Sequence, residues 1–103
     1  VVQESAPTVS SGEDLFVSKA CGSCHTLEGV VGAVGVVGPG MDGIAIRAGD
    51  RVPGLNAEAY IRQSIEEPSA FVVDNFSPLM PSLRATMADE EFETLISFLL
   101  TLE

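Results

Sequence analysis

The sequence predicts an all-α domain of about three main helices joined by long loops, with no convincing strand. Three observations carry that prediction. The C-terminal stretch "ADEEFETLISFLLTLE" sets Phe92, Leu95, Ile96, Leu99 and Leu100 at i, i+3, i+4, i+7 and i+8, the spacing of one buried helix face. Two earlier stretches open on good helix caps and continue with apolar residues at helical spacing. Ten glycines and six prolines leave little room for long regular elements elsewhere. At 103 residues the chain is one domain by length.

Residues 1–9, "VVQESAPTV", show no periodicity and read as a linker or frayed terminus, which leaves 10–103 as the domain. In "SSGEDLFVSKA", Ser10 or Ser11 caps a short helix over about 12–20, and Glu13 and Asp14 sit where the helix dipole favours acids. That helix is expected to bury Leu15, Phe16 and Ala20. Residues 28–43, "EGVVGAVGVVGPGMDG", form a loop in which glycines interrupt every regular pattern. No Gly-Lys-Ser/Thr follows and no strand precedes it, so it is not a phosphate loop. Glycine there lets backbone lie close against something flat.

Asn56 caps the next helix, which runs to Glu66 or Glu67 and is stopped by Pro68. Tyr60, Ile61, Ser64 and Ile65 share one of its sides. "FVVDNFSPLMPSL" is extended and bracketed by proline. In the last helix the acids of "ADEE" occupy the first turn, again as the dipole prefers. These loops hold too little apolar mass to close a core alone, so something else fills the middle.

Fifteen acidic residues against five Lys and Arg give a net charge of −10. That balance excludes nucleic acid, whose phosphates need clustered cations, and disfavours anionic membrane surfaces. The charge has two readings of equal weight: its complement is a protein with a positively charged patch, met at a raised encounter rate, or the surplus carboxylates only keep the domain soluble. No apolar run is long enough to cross a bilayer. The first methionine is Met41, so the chain reads as a processed or trimmed product, with any membrane anchor lying upstream.

"KACGSCHTLEG", residues 19–29, holds both cysteines and the single histidine of the chain. A thioredoxin-like pair needs its CxxC between a strand and a helix, whereas the residues before Cys21 are helical. Structural zinc needs four ligands, and Cys21, Cys24 and His25 supply three. A Cys21–Cys24 disulfide would close a trivial loop. Haem attachment uses all three residues at once. On a helical turn, positions i and i+3 lie roughly 5–6 Å apart at Cβ, so both thiols reach the two vinyl groups on one porphyrin edge. His25 then presents its imidazole to the iron.

Residues 11–102 resemble a class I, mono-haem cytochrome c: CxxCH is joined in order by "GPG", by a late "MP", and by an amphipathic last helix with an acidic start. "YIRQSIEEPSAFVVDNFSPLMPS" also resembles cytochrome domains attached to bacterial haem-copper oxidases and related respiratory complexes. The resemblance implies one haem c bound covalently through Cys21 and Cys24, with His25 and Met80 as iron ligands. Met80 stands between Pro78 and Pro81, which fix much of the backbone. Met41 reads instead as a packing residue and Met87 as a core residue. By the same resemblance the Pro39 carbonyl accepts from His25; Arg47, and with less weight Arg51, suits haem propionates because guanidinium pairs with carboxylate, the alternative being two solvated arginines. Tyr60 fits either the core or a polar contact near the haem. Gly12 and Phe16, with Leu95 or Phe98, form the crossing of the first and last helices. Family members often carry Ser or Thr where Ala88 stands, so the last helix is expected to start from another cap, Thr86.

The resemblance implies single-electron transfer without bond making, so the chain is a carrier rather than an enzyme. Its partners are redox proteins, an oxidase or a quinol-oxidising complex, met through a small apolar port with electrostatic guidance around it. Haem is attached on the outer side of the bacterial inner membrane, which places the chain in the periplasm or otherwise outside the cytoplasm, free or tethered. The rival reading is a haem enzyme or gas sensor in which Met80 is displaced. The single histidine and the lack of a distal acid–base pair count against peroxidase chemistry.

Overall fold

The computed structural model describes residues 11–103. The expected N-terminal linker, residues 1–9, and Ser10 lie outside the described residues. Helix α1, Gly12–Ser18, starts at Ser11, whose hydroxyl accepts from the Asp14 N–H at 3.1 Å. It ends two residues earlier than expected. The Lys19 N–H donates to the Leu15 carbonyl and the Ala20 N–H to the Val17 carbonyl, and Ala20 flips into the left-handed region at φ 65°. Ala20 is therefore exposed, not buried, while Leu15 and Phe16 are each 1% exposed.

A single 3₁₀ turn, Cys21–Ser23, follows α1 directly. A short helix α2, Ile44–Arg47, runs into a second such turn, Ala48–Asp50. Sequence patterning missed α2 because four residues contain no repeat of a helical period. Helix α3, Ala57–Glu66, is capped by Asn56, whose side-chain oxygen accepts from the Ala59 N–H at 2.8 Å. A long segment without regular structure leads from Pro68 to a third 3₁₀ turn, Arg84–Thr86, and then to α4, Asp89–Leu99. Among the described residues the β-structure is one isolated bridge, Thr26 to Val34, so the fold is all-α. No helix of the described residues is long and apolar enough to cross a membrane.

The expected Thr86 cap is not used. Ala88 takes the extended cap conformation (φ −69°, ψ 159°), and the Glu91 carboxylate accepts from its N–H at 2.9 Å. Alanine has no acceptor to return the bond, so half of the reciprocal box forms. Thr86 instead donates its hydroxyl to the Leu83 carbonyl.

Helices α1 and α4 cross at Gly12. A Cβ there would stand 2.7 Å from Phe98 Cγ, and the Phe16 and Phe98 rings meet at 6.3 Å. The crossing thus needs glycine, because any side chain would force the helices apart. Lys19 ties α1 to the approach of α4 by donating to the Thr86 carbonyl at 2.8 Å. Phe92 of α4 is buried under two guanidinium groups, Arg62 at 5.5 Å and Arg84 at 4.5 Å from the ring centre. Arg62 also bonds Glu93 and Glu58, which locks α3 onto α4. Leu95 and Ile96, with Phe16 and Leu15, are the largest fully buried side chains.

Candidate functional site

One cleft of about 280 Å³ opens between the Cys21–Ser23 turn, the glycine loop, α3 and the Pro68–Leu83 segment. Cys21, Cys24 and His25 line it, as do Pro39, Met41 and Met80. Most of the remaining wall is apolar, with Phe16, Ile61, Ile65, Phe71, Phe76 and Leu95 reaching it, and Ser23, Ser64 and Ser77 add polar groups.

The turn that carries the cysteines is built from backbone. The N–H groups of Cys24 and His25 both donate to the Cys21 carbonyl, at 3.2 and 2.9 Å. The loop beyond is stitched back onto it by Gly35 N–H to Gly22 O, Gly38 N–H to Cys24 O and Met41 N–H to Thr26 O. Residues 22–26 and 35–41 therefore form one wall. Of the loop glycines, Gly35 lies against the backbone of Ser23 and Cys24, whereas Gly38 lies against a flat group, the imidazole of His25. A Cβ on Gly38 would stand 2.8 Å from its Nδ1 and 3.0 Å from its Nε2.

His25 Nδ1 lies 2.6 Å from the Pro39 carbonyl oxygen. A carbonyl only accepts, so Nδ1 carries the proton and Nε2 keeps its lone pair for a metal. Burial pushes the Cys21 thiol up to about 11, with Cys24 close by adding to the shift. That is the wrong direction for a disulfide-exchange centre, which needs a stabilised thiolate. The two thiols are not joined to each other.

Charge is distributed unevenly. Among the described residues no acidic side chain lines the cleft, and its fixed charges are the cations Lys19 and Arg51. The Arg51 side chain has no hydrogen-bond or ion-pair partner among the described residues. Arg47 is the expected site residue that the structure does not bring to the cleft. Its guanidinium donates to the carbonyls of Asp42 (2.5 Å) and Gly40 (2.8 Å), pinning the end of the glycine loop from outside. The two arginines lie on either side of the Ala48–Asp50 turn, and only the geometry of that turn decides which one faces in.

The three methionines also separate. Met87 is buried in the core and off the cleft, while Met41 and Met80 line it half-buried. Tyr60 is buried, lines the cleft and meets Phe71 edge-on at 5.9 Å. Sequence reasoning missed the parts played by Gly38 and by the Phe71–Phe76 wall. The signal for Gly38 is its place directly before Pro39 in "VGPG".

A haem c fits these residues. Two thiols on one turn, an imidazole with a free Nε2, a thioether, apolar walls and an excess of cations over acids suit a flat apolar ring that carries two carboxylates. The comparisons with known proteins agree. A family model described as cytochrome c oxidase, cbb3-type, subunit III matches residues 7–99. Cytochrome c-551 of Pseudomonas denitrificans is 32% identical over 94 residues, which span 91% of this chain and 100% of that protein. The chain belongs to this family as a class I, mono-haem cytochrome c, with haem c held covalently through Cys21 and Cys24.

Proposed function

We propose that residues 10–103 pass single electrons through a haem whose iron is ligated by His25 and Met80, outside the cytoplasm and in the service of a respiratory oxidase or quinol-oxidising complex. Haem-based electron transfer itself follows from the family. Bound in the cleft, the haem supplies an iron that alternates between Fe(II) and Fe(III) with no bond made or broken. The family's description as an oxidase subunit supports the choice of partner, and the net charge of −10 supports a partner with a cationic face.

The observation that supports the ligand assignment is that the two cleft methionines belong to different segments of the chain. Met41 is bonded through its N–H to the carbonyl of Thr26, next to His25, so it rides on the histidine's own wall. A haem held here by His25 would take its second ligand from a segment other than the one that carries the histidine. Met80 alone of the cleft methionines belongs to a different wall, the segment after α3. Its thioether is soft and favours the ferrous state, raising the potential relative to a second imidazole.

The remaining residues act around that axis. Pro39 fixes the imidazole plane and its tautomer. The apolar walls exclude water, so the charge change at the metal is felt strongly and reorganises little. Arg51, rather than Arg47, is the propionate partner, because it faces the cleft with its donors free among the described residues.

Optical spectra of the natively matured holoprotein test this reading. The ferric parent is expected to show the weak far-red band of sulfur bound to iron. Met80→Ala should lose it and bind CO rapidly when reduced, while Met41→Ala should keep it. A band that survives in Met80→Ala would overturn the assignment in favour of Met41, the other methionine of the cleft, and rapid CO binding by the unaltered protein at neutral pH would overturn it in favour of a gas-binding domain.

A further inference from the structure

The segment that bears Met80 is tied to the rest of the fold in an unusual way. From Ala70 to Pro81 its backbone hydrogen bonds are local: Ala70 N–H to Glu67 O, Phe76 N–H to Val73 O and Leu79 N–H to Ser77 O. None of these reaches another wall of the cleft. Besides the packing of Met80 and Leu83 against the core, two side-chain contacts with α3 hold the segment. Near its start, Phe71 packs edge-on against Tyr60. At its end, the Ser82 hydroxyl donates to the Glu66 carbonyl at 3.1 Å. Glu66 is the last residue of α3, and its carbonyl is one of those that a helix terminus leaves without an intrahelical partner.

We infer that Ser82 is a positioning residue for Met80, latching the methionine-bearing segment to the C-terminus of α3. This rests on the reading that Met80 ligates the iron. Ser82 is two residues beyond Met80 with the stiff Pro81 between them, so a fixed Ser82 restricts where the thioether can go. Pro78 stiffens the other side. Leu79 is 66% exposed, so the residue preceding Met80 adds little burial to hold it. The latch therefore supplements the packing of Met80 itself against the core, at a stretch whose neighbours Leu79 and Ser82 are exposed. Arg84 fixes the next turn separately, by stacking on Phe92, donating to the Met87 carbonyl and pairing with Asp89. Slack introduced at Ser82 is thus confined to the segment before it.

A looser segment lets a competing ligand displace the thioether more readily while the helical frame stays folded. The test is imidazole binding to the ferric holoprotein at fixed pH, followed by loss of the far-red band. Ser82→Ala should bind imidazole roughly three- to tenfold more tightly than the parent, the worth of one net hydrogen bond. Ser82→Thr keeps the hydroxyl and should restore the parent affinity, and Ser69→Ala, at another exposed serine after α3, should match the parent. Far-UV circular dichroism of Ser82→Ala should be unchanged. Equal imidazole affinity in Ser82→Ala and the parent, with the band present in both, overturns the latch and leaves Met80 ligation standing. A band that persists in Met80→Ala overturns both.

Discussion

Replacing Gly38 with alanine puts a methyl group where the His25 ring already lies. The added carbon would sit 2.8 Å from Nδ1 and 3.0 Å from Nε2. Carbon and ring atoms rest at about 3.5–4.0 Å, so ring and loop must separate by about 1 Å. The His25 Nδ1 to Pro39 bond, now 2.6 Å, cannot survive a shift of that size in the adjacent peptide. Overpacking costs about 1–3 kcal/mol and the lost bond about 1 kcal/mol more, so Gly38→Ala should destabilise by about 2–4 kcal/mol. For a domain of this size that corresponds to a melting temperature lower by roughly 10–20 °C.

The same change has an electronic signature. Donation from Nδ1–H makes Nε2 a more basic ligand, which favours ferric iron. Losing it should raise the reduction potential by tens of millivolts, since a tenfold change in a one-electron equilibrium is about 59 mV. Thermal denaturation of the holoprotein and a redox titration read the two effects separately. A variant that melts within about 2 °C of the parent and keeps its potential would refute the claim that the glycine loop seats the imidazole.

Two more outcomes are expected from the ends and faces of α4. Ala88→Ser should stabilise by about 1 kcal/mol, seen as a higher melting temperature, because residue 88 already has cap geometry and lacks only the acceptor. The side-chain bond from Arg62 holds the Glu93 carboxyl below its usual 4.5, and the Ala88 N–H does the same for Glu91. A lowered folded-state value contributes stability above pH 4.5 that is lost as pH falls through the folded value. Glu93→Gln should therefore melt lower than the parent at neutral pH, and the difference should close on acidification below that point. A gap independent of pH would show that Arg62 does not act through the charge of Glu93.

How far the sequence can be read depends on the range of the interaction responsible. Helices α1, α3 and α4 are legible because caps and apolar spacing are local, and Ser11, Asn56 and the Phe92–Leu99 stripe behave as their chemistry requires. Ala20 escapes such reasoning because a helical pattern cannot see the left-handed turn that ends α1. The hydroxyl of Thr86 makes it the better cap on paper, yet the Glu91 carboxylate serves the Ala88 N–H and leaves Thr86 free for Leu83. Arg47 and Arg51 are equivalent in composition and neighbours in sequence. Only the path of the Ala48–Asp50 turn separates a loop clamp from a cleft cation. The Ser82 latch joins residues 16 apart in sequence and leaves no periodic trace.

The shortage of apolar mass in the loops has a direct structural counterpart. Among the described residues, half of the fourteen buried hydrophobic core residues, namely Phe16, Ile44, Tyr60, Ile61, Ile65, Leu95 and Leu99, also line the cleft. Core and cofactor site are therefore one apolar body, and whatever fills the cleft completes the packing of α1, α3 and α4. Covalent attachment at Cys21 and Cys24 then does two things at once. It keeps the redox centre from dissociating, and it keeps the fold from losing the surface against which half of its core is packed.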